Sequence, residues 1–267
     1  MFDFNRPTLR RRLAAGGPLG LTWFALGSLP LIEAAVALGA DAVAIDMQHG
    51  LFDRGTIEAA IGAVPRNVPC IVRVEDGTAT AIGRALDAGA EGIIVPLVET
   101  VEQARQAAAA CHYPPRGHRS GGGVRPLRDF AAYSAAAEKA IAVGVMIETS
   151  DGLDNAEAIA SAELVDFVFI GTGDLALSLG TAPGSEMHSR ACASILKACR
   201  KAGTPCGIFT FDAKAAAARI AEGYVMAAIA NDISTVNSAF AAALADFAEA
   251  RVGASGSGKR GKPKRRK

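Results

Sequence analysis

The sequence predicts a single (β/α)8 barrel, an α/β TIM-barrel fold of eight parallel strands each followed by a helix. Three observations predict it. Short, almost continuously apolar runs alternate with helix-period segments along the chain, as strands do when helices cover them outside and side chains fill the space inside. Several helical segments end on glycine in a recurring form: Leu38-Gly39-Ala40-Asp41, Asp87-Ala88-Gly89-Ala90 and Ala221-Glu222-Gly223. Glycine there adopts the left-handed cap without a Cβ penalty. Finally, 267 residues, half of them apolar and 6% aromatic, suit one barrel with close helix–strand packing.

In chain order the strands are expected at 19–25, 42–45, 70–74, 92–95, 142–147, 167–170, 205–209 and 224–228. The helices are expected at 30–38, 56–64, 79–88, 101–111, 155–161, 187–202, 213–222 and 233–250. One long irregular connection follows Cys111, through Pro114, Pro115 and Gly121–Gly123, and leads into a short helix near 129–139. Arg10-Arg11-Arg12 ahead of an apolar stretch imitates a secretory signal, but Gly16, Gly17, Pro18, Gly20, Gly27 and Glu33 break it, so it reads as the first strand and helix. No apolar run reaches membrane-spanning length. The five cysteines lack C-x-x-C spacing. Cys70 and Cys206 sit in apolar runs as small hydrophobes, so a reducing, cytoplasmic setting is expected.

The net charge of +1 hides an asymmetry: the stretch 253–267 carries seven Lys/Arg and no acid, so the body, 1–252, stands at −6. The barrel is expected to fill 1–252, and the basic tail to be disordered and solvated. Such a tail can also bind nucleic acid. The acidic body argues against nucleic acid as the main partner, and no membrane partner is expected.

Chemistry in this architecture sits at the C-terminal ends of strands. After strand two comes Asp46-Met47-Gln48-His49-Gly50; Arg73 ends strand three; Glu148-Thr149 follows strand five; Gly171-Thr172-Gly173-Asp174 follows strand six. Asp46, His49, Arg73, Glu148 and Asp174 therefore converge on one mouth. Taken singly, each has a plainer reading. Asp174 would cap a helix starting at Leu175, His49 would bond locally in its loop, and Arg73 would form a structural salt bridge to Asp46. Their convergence favours a site. Two carboxylates with no Cys or His beside them suit a hard cation, Mg2+ or Mn2+, which polarises an adjacent keto acid and stabilises an enolate. An Asp46–His49 pair would set the imidazole tautomer for acid–base work. Arg73 would hold a substrate carboxylate or the enolate oxygen. A Schiff-base mechanism needs a lysine at the mouth. Lys139, Lys197, Lys201 and Lys214 lie elsewhere, before strand five or on helices.

The motifs Ile45-Asp46-Met47-Gln48-His49, Val72-Arg73-Val74, Leu97-Val98-Glu99-Thr100, Tyr113-Pro114-Pro115-Arg116-Gly117-His118-Arg119, Ile147-Glu148-Thr149 and Phe169-Ile170-Gly171-Thr172-Gly173-Asp174-Leu175 stand in order along the chain. With them the sequence resembles the metal-dependent, class II pyruvate aldolases of the HpcH/HpaI type, the family of 4-hydroxy-2-oxoheptanedioate and 2-keto-3-deoxy-sugar-acid aldolases. The resemblance implies reversible cleavage of a 4-hydroxy-2-oxo acid to pyruvate and an aldehyde, and a homohexamer with sites near subunit contacts. It implies Glu148 and Asp174 as ligands of Mg2+, Mn2+ or Co2+, His49 with Asp46 as the acid–base group, and Arg73 at the enolate. It also implies a carboxylate cradle at Gly171, Thr172 and Gly173. Trp23, Phe209 and Thr210 are expected to read the aldehyde. Three positions depart from the family pattern: Met146 replaces a glutamine, Gln48 a frequent glutamate, and Thr172 a proline. Two other readings are a CoA-thioester lyase of the malyl- or citramalyl-CoA type and a non-catalytic binding protein.

Overall fold

The computed structural model describes residues 6–257. In chain order it runs α1 (Leu9–Ala14), β1 (Leu19–Phe24), α2 (Leu29–Ala37), β2 (Ala42–Asp46), α3 (Arg54–Ala63), β3 (Cys70–Arg73), α4 (Ala79–Ala88), β4 (Gly92–Val95) and α5 (Val101–Cys111). A 3-10 turn (Pro126–Arg128) leads into α6 (Phe130–Ala140), β5 (Ala142–Ile147), α7 (Ser150–Asp154), α8 (Ala156–Ala160), β6 (Phe167–Ile170) and α9 (Thr172–Ser178). α10 (Glu186–Ala202), β7 (Cys206–Ile208), α11 (Ala213–Ala221), β8 (Met226–Asn231) and α12 (Asp232–Ser257) complete it. The strands close in parallel and in order from β1 to β8, and β8 pairs back onto β1. The predicted barrel is therefore the fold.

Local chemistry sets the element ends. Asp53 starts α3 by accepting the N–H groups of Gly55 and Thr56, and Thr56 answers through its hydroxyl. Thr100 and Gln103 make the same reciprocal box on α5, which satisfies N–H groups that a helix cannot pair internally. Gly89 closes α4 at φ 105°, in the left-handed region, as the Gly-ended segments predicted.

The structure departs from expectation in five places. An additional helix, α1, spans Arg10-Arg11-Arg12 ahead of the first strand. The helix expected over 155–161 is α8, and an unforeseen short helix, α7, precedes it, the two meeting at Asn155. α9 begins at Thr172 rather than at Leu175. β8 runs Met226–Asn231, two residues later than the expected 224–228 at its start and three at its end. α12 continues past residue 252 to Ser257, so helix crosses the expected start of the tail. The remaining tail, 258–267, lies outside the described residues. By contacts the chain divides into a barrel unit ending at Asp232 and a unit from Ile233 onward. The latter exposes Phe240, Leu244 and Phe247.

Inside the barrel, period-2 alternation sets the layers. Leu19, Leu21 and Trp23 of β1, Ala42 and Ala44 of β2, Ile71 of β3, Ile94 of β4, Ala142 and Met146 of β5, Phe167 and Phe169 of β6 and Met226 of β8 form one buried cluster, joined by Leu9 and Leu13 of α1. Large faces small across it. A Cβ on Gly144 would stand 2.2 Å from Phe167 Cζ, and one on Gly207 2.7 Å from Phe169 Cδ2. The second cluster, with Val43, Ile45, Val72, Val145 and Ile170, packs the strands against the helices. Counting onward by two from the inward residues reaches Asp46, Arg73, Glu148, Gly171 and Phe209. The same pleat that builds the core thus turns these positions toward the axis.

Candidate active site

At the C-terminal end of the strands is a cavity of about 400 Å³ lined by His49, Arg73, Met146, Glu148, Gly171–Asp174, Leu177, Pro183, Phe209 and Phe211. Four of the five ionisable residues expected at one mouth line it. The fifth, Asp46, does not line it and is 2% exposed.

Asp46 is the floor of the site. Arg73 Nε donates to its Oδ1 at 2.9 Å and Nη2 to its Oδ2 at 2.5 Å. The backbone N–H groups of Gln48 and His49 donate to Oδ1 at 3.0 and 3.3 Å, and Trp23 Nε1 lies 3.4 Å from Oδ2. Burial opposes the charge on Asp46, but the bond and charge of Arg73 with these N–H donors hold its carboxyl below the usual value. The expected pairing of Asp46 with the His49 ring is corrected here. The carboxylate takes the His49 backbone, and its other lone pairs are used by Arg73 and Trp23. The His49 side chain stands exposed at the rim. The salt bridge between Arg73 and Asp46 is the plainer reading of Arg73, and it uses Nε and Nη2. Nη1 donates a long hydrogen bond to Met146 Sδ at 3.9 Å.

Glu148 is 1% exposed. Its Oε1 accepts the Leu97 N–H at 2.8 Å. Burial above all, with the like charge and shared hydrogen bond of the neighbouring Asp174, raises its carboxyl to about 7 against the pull of Leu97 and Arg73. Two carboxylates, one of them buried, thus meet in one cavity, an oxygen donor set of the kind that suits a hard cation. Leu97 holds φ at +54° to deliver its N–H. A non-glycine residue in this region stores strain, of the order of 1–3 kcal/mol. Asp174 is the third residue of α9, whose N-cap is Gly171 without a side-chain cap, so Asp174 is not a helix cap.

The cradle residues differ from one another. The Gly171 N–H is spent on Ile147 O at 3.2 Å, whereas no partner is found for the N–H groups of Thr172 and Gly173 among the described residues. The Thr172 hydroxyl donates to Phe209 O at 3.1 Å. Of the residues expected to read the aldehyde, Phe209 lines the cavity and two do not. Trp23 is buried in the barrel, edge-on to Phe209 at 5.3 Å and beneath the Arg73 guanidinium at 5.3 Å; it supports the site from below. Thr210 is buried and donates to Ala228 O.

Sequence reasoning missed three contributors. Leu97 acts through backbone alone, which no side-chain pattern reveals. His188, on α10, accepts the Gly184 N–H at Nδ1 and so donates from Nε2 to Thr172 O at 2.9 Å. It pins the turn that starts α9. Asp232 accepts the N–H groups of Ala25 and Leu26, both at 2.9 Å, and ties the loop after β1. A histidine or aspartate followed by helix carries no sign of such a distant partner.

A family model described as HpcH/HpaI aldolase/citrate lyase matches residues 20–239. The chain belongs to that family. The HpcH/HpaI chain is 37% identical over 237 residues to a hydroxypyruvate/pyruvate aldolase of Rhizorhabdus wittichii, covering 86% of this chain and 94% of that one. It is 36% identical to a 4-hydroxy-2-oxovalerate aldolase of Rhodococcus jostii, covering 91% and 96%. A solved HpcH/HpaI family structure from Burkholderia cenocepacia superposes with a TM-score of 0.85 at 32% identity, over 91% of this chain and 99% of that one. The barrel is thus that of an aldolase, a carbon–carbon lyase.

Proposed function

We propose that this chain reversibly cleaves a 4-hydroxy-2-oxo acid to pyruvate and an aldehyde, using a divalent cation held by Glu148 and Asp174. One observation carries the reading: the buried Glu148 carboxylate shares a hydrogen bond with Asp174 in the cavity that Arg73 also lines. The donor set fits a hard ion such as Mg2+, Mn2+ or Co2+. No group of three ligating side chains exists among the described residues, so substrate and water oxygens would complete the coordination. When bound, the ion supplies Lewis-acid stabilisation of the charge that develops on the keto oxygen.

The protein does the rest. Arg73, held rigid by Asp46, directs Nη1 toward that oxygen, where a fixed donor outweighs a mobile one. The free N–H groups of Thr172 and Gly173 receive the pyruvate carboxylate. His49, at the rim, takes the proton from the C4 hydroxyl on cleavage and returns it on condensation. Met146 cannot hydrogen-bond the substrate as the usual glutamine would, so the keto oxygen relies on Arg73. A CoA-thioester lyase would need cations for a nucleotide, and the lining offers only Arg73, already tied to Asp46, and His49.

By resemblance the chain works as a homohexamer, a cytoplasmic enzyme, with a 2-oxo acid as its small-molecule partner. Light scattering of the purified protein tests the assembly. Pyruvate release from a series of 4-hydroxy-2-oxo acids, with Mg2+, Mn2+ and Co2+ in parallel, tests the reaction. Alanine at Glu148 or Asp174 abolishes metal-dependent turnover, and full activity in excess chelator refutes the proposal.

A further inference from the structure

The two halves of the mouth differ in chemistry, and the difference bears on the aldehyde. The half over β2, β3, β5 and the start of α9 holds Arg73, Glu148, Asp174 and the free N–H groups of Thr172 and Gly173. The facing wall is Leu177, Pro183, Phe209 and Phe211. This wall is built, because Phe211 stands edge-on to Phe209 at 5.4 Å and Phe209 edge-on to the buried Trp23 at 5.3 Å. Leu177 and Phe211 nevertheless remain 76% and 61% exposed. They are apolar surface that a substrate would cover.

The charges and hydrogen bonds leave nothing over for a polar aldehyde. Arg73 and His49 are the cavity's cationic or potentially cationic side chains. Arg73 spends Nε and Nη2 on Asp46. With Asp46, Glu148 and Asp174 against Arg73, a divalent ion brings the site only to neutrality, and the pyruvate carboxylate already makes it anionic. A second carboxylate on the aldehyde would enter an anionic cavity without a partner, which is costly. A polyhydroxylated aldehyde fares little better. The Thr172 hydroxyl is engaged with Phe209 O, and none of the four wall side chains can hydrogen-bond.

We propose that the aldehyde partner of this site is uncharged and apolar, an aliphatic or aromatic aldehyde seated on Leu177, Pro183, Phe209 and Phe211, and neither a semialdehyde acid nor a polyol. The inference rests on the pyruvate-aldolase reading above. A methylene or a hydroxyl in such a pocket shifts selectivity by about 10- to 200-fold, so the differences are measurable.

The test uses the full chain with Mg2+ and pyruvate. Exchange of the pyruvate methyl protons in D2O reports enolisation without any aldehyde, and its absence takes down the aldolase reading and this inference with it. Where exchange occurs, kcat/KM for condensation is compared across butanal, benzaldehyde, glyceraldehyde and succinic semialdehyde. The expected result is a preference of at least about tenfold for butanal or benzaldehyde over the other two. A preference for succinic semialdehyde or glyceraldehyde overturns the inference. Phe211→Lys, at an exposed position where folding is tolerant, adds the missing cation. It should move the ratio of succinic semialdehyde to butanal at least about tenfold toward the charged aldehyde. An unchanged ratio in a variant that still exchanges pyruvate protons also overturns it.

Discussion

Replacing Gly171 with alanine places a methyl group where the geometry has no room for it. The backbone is no obstacle, since Gly171 holds φ −83° and ψ 90°, open to any residue. The obstacle is Glu148. The new Cβ would stand 2.2 Å from Glu148 Oε2, 2.8 Å from Glu148 Cβ and 3.0 Å from Met146 Sδ. Ordinary contact begins near 3.4 Å, so the carboxylate must withdraw by about 1 Å. The Glu148 Cβ, also within 3 Å of the new methyl, cannot swing aside, and moving Oε2 into the cavity breaks the arrangement that the Leu97 N–H fixes through Oε1 at 2.8 Å. Overpacking of this kind costs about 1–3 kcal/mol. At roughly 2–4 °C per kcal/mol for a chain of this size, the Tm falls by roughly 2–12 °C. The effect on turnover is larger, because displacing a reacting group by about 1 Å costs about 100-fold. Calorimetry and metal-dependent kcat/KM measure the two effects. Gly173→Ala is the stability control, since its Cβ meets nothing within 4 Å and the Tm should hold. A Gly171→Ala enzyme with unchanged Tm and kcat/KM refutes the placement of Glu148 against β6.

Three further outcomes are expected. Asp46→Ala strands the half-buried Arg73 guanidinium, and breaking a buried pair in this way costs about 3–5 kcal/mol; urea denaturation measures it. His188→Ala frees the Thr172 carbonyl and loosens the start of α9, raising KM for pyruvate more than it lowers kcat. Equal effects on both would argue for general destabilisation. The buried cysteines are unreactive to Ellman's reagent at pH 8 until the chain unfolds, because burial raises Cys70 and Cys111 to about 12 and Cys192 to about 11 from an ordinary 9.0. Their folded values lie above the unfolded one, so the stability they contribute is complete below pH 9 and is lost as pH rises toward 12. Melting temperatures across that alkaline range should fall as pH rises.

The sequence by itself determined the barrel and the residue types at its mouth. Strand runs and Gly caps are local signals, because a pleat of period two and a left-handed cap follow from backbone sterics within a few residues. The rule that chemistry lies at strand ends then marked Asp46, His49, Arg73, Glu148 and Asp174. Tertiary structure decided how those residues are shared out. Asp46 serves Arg73 instead of the His49 ring, Trp23 lies beneath the site instead of beside the aldehyde, and Gly171 is kept small by a carboxylate from the neighbouring strand. The backbone of Leu97, the ring of His188 and the carboxylate of Asp232 joined the site through partners far away in sequence. The physical reason is that a carboxylate has few lone pairs, and which donors fill them depends on distances across strands. Those distances exist only after the sheet has closed.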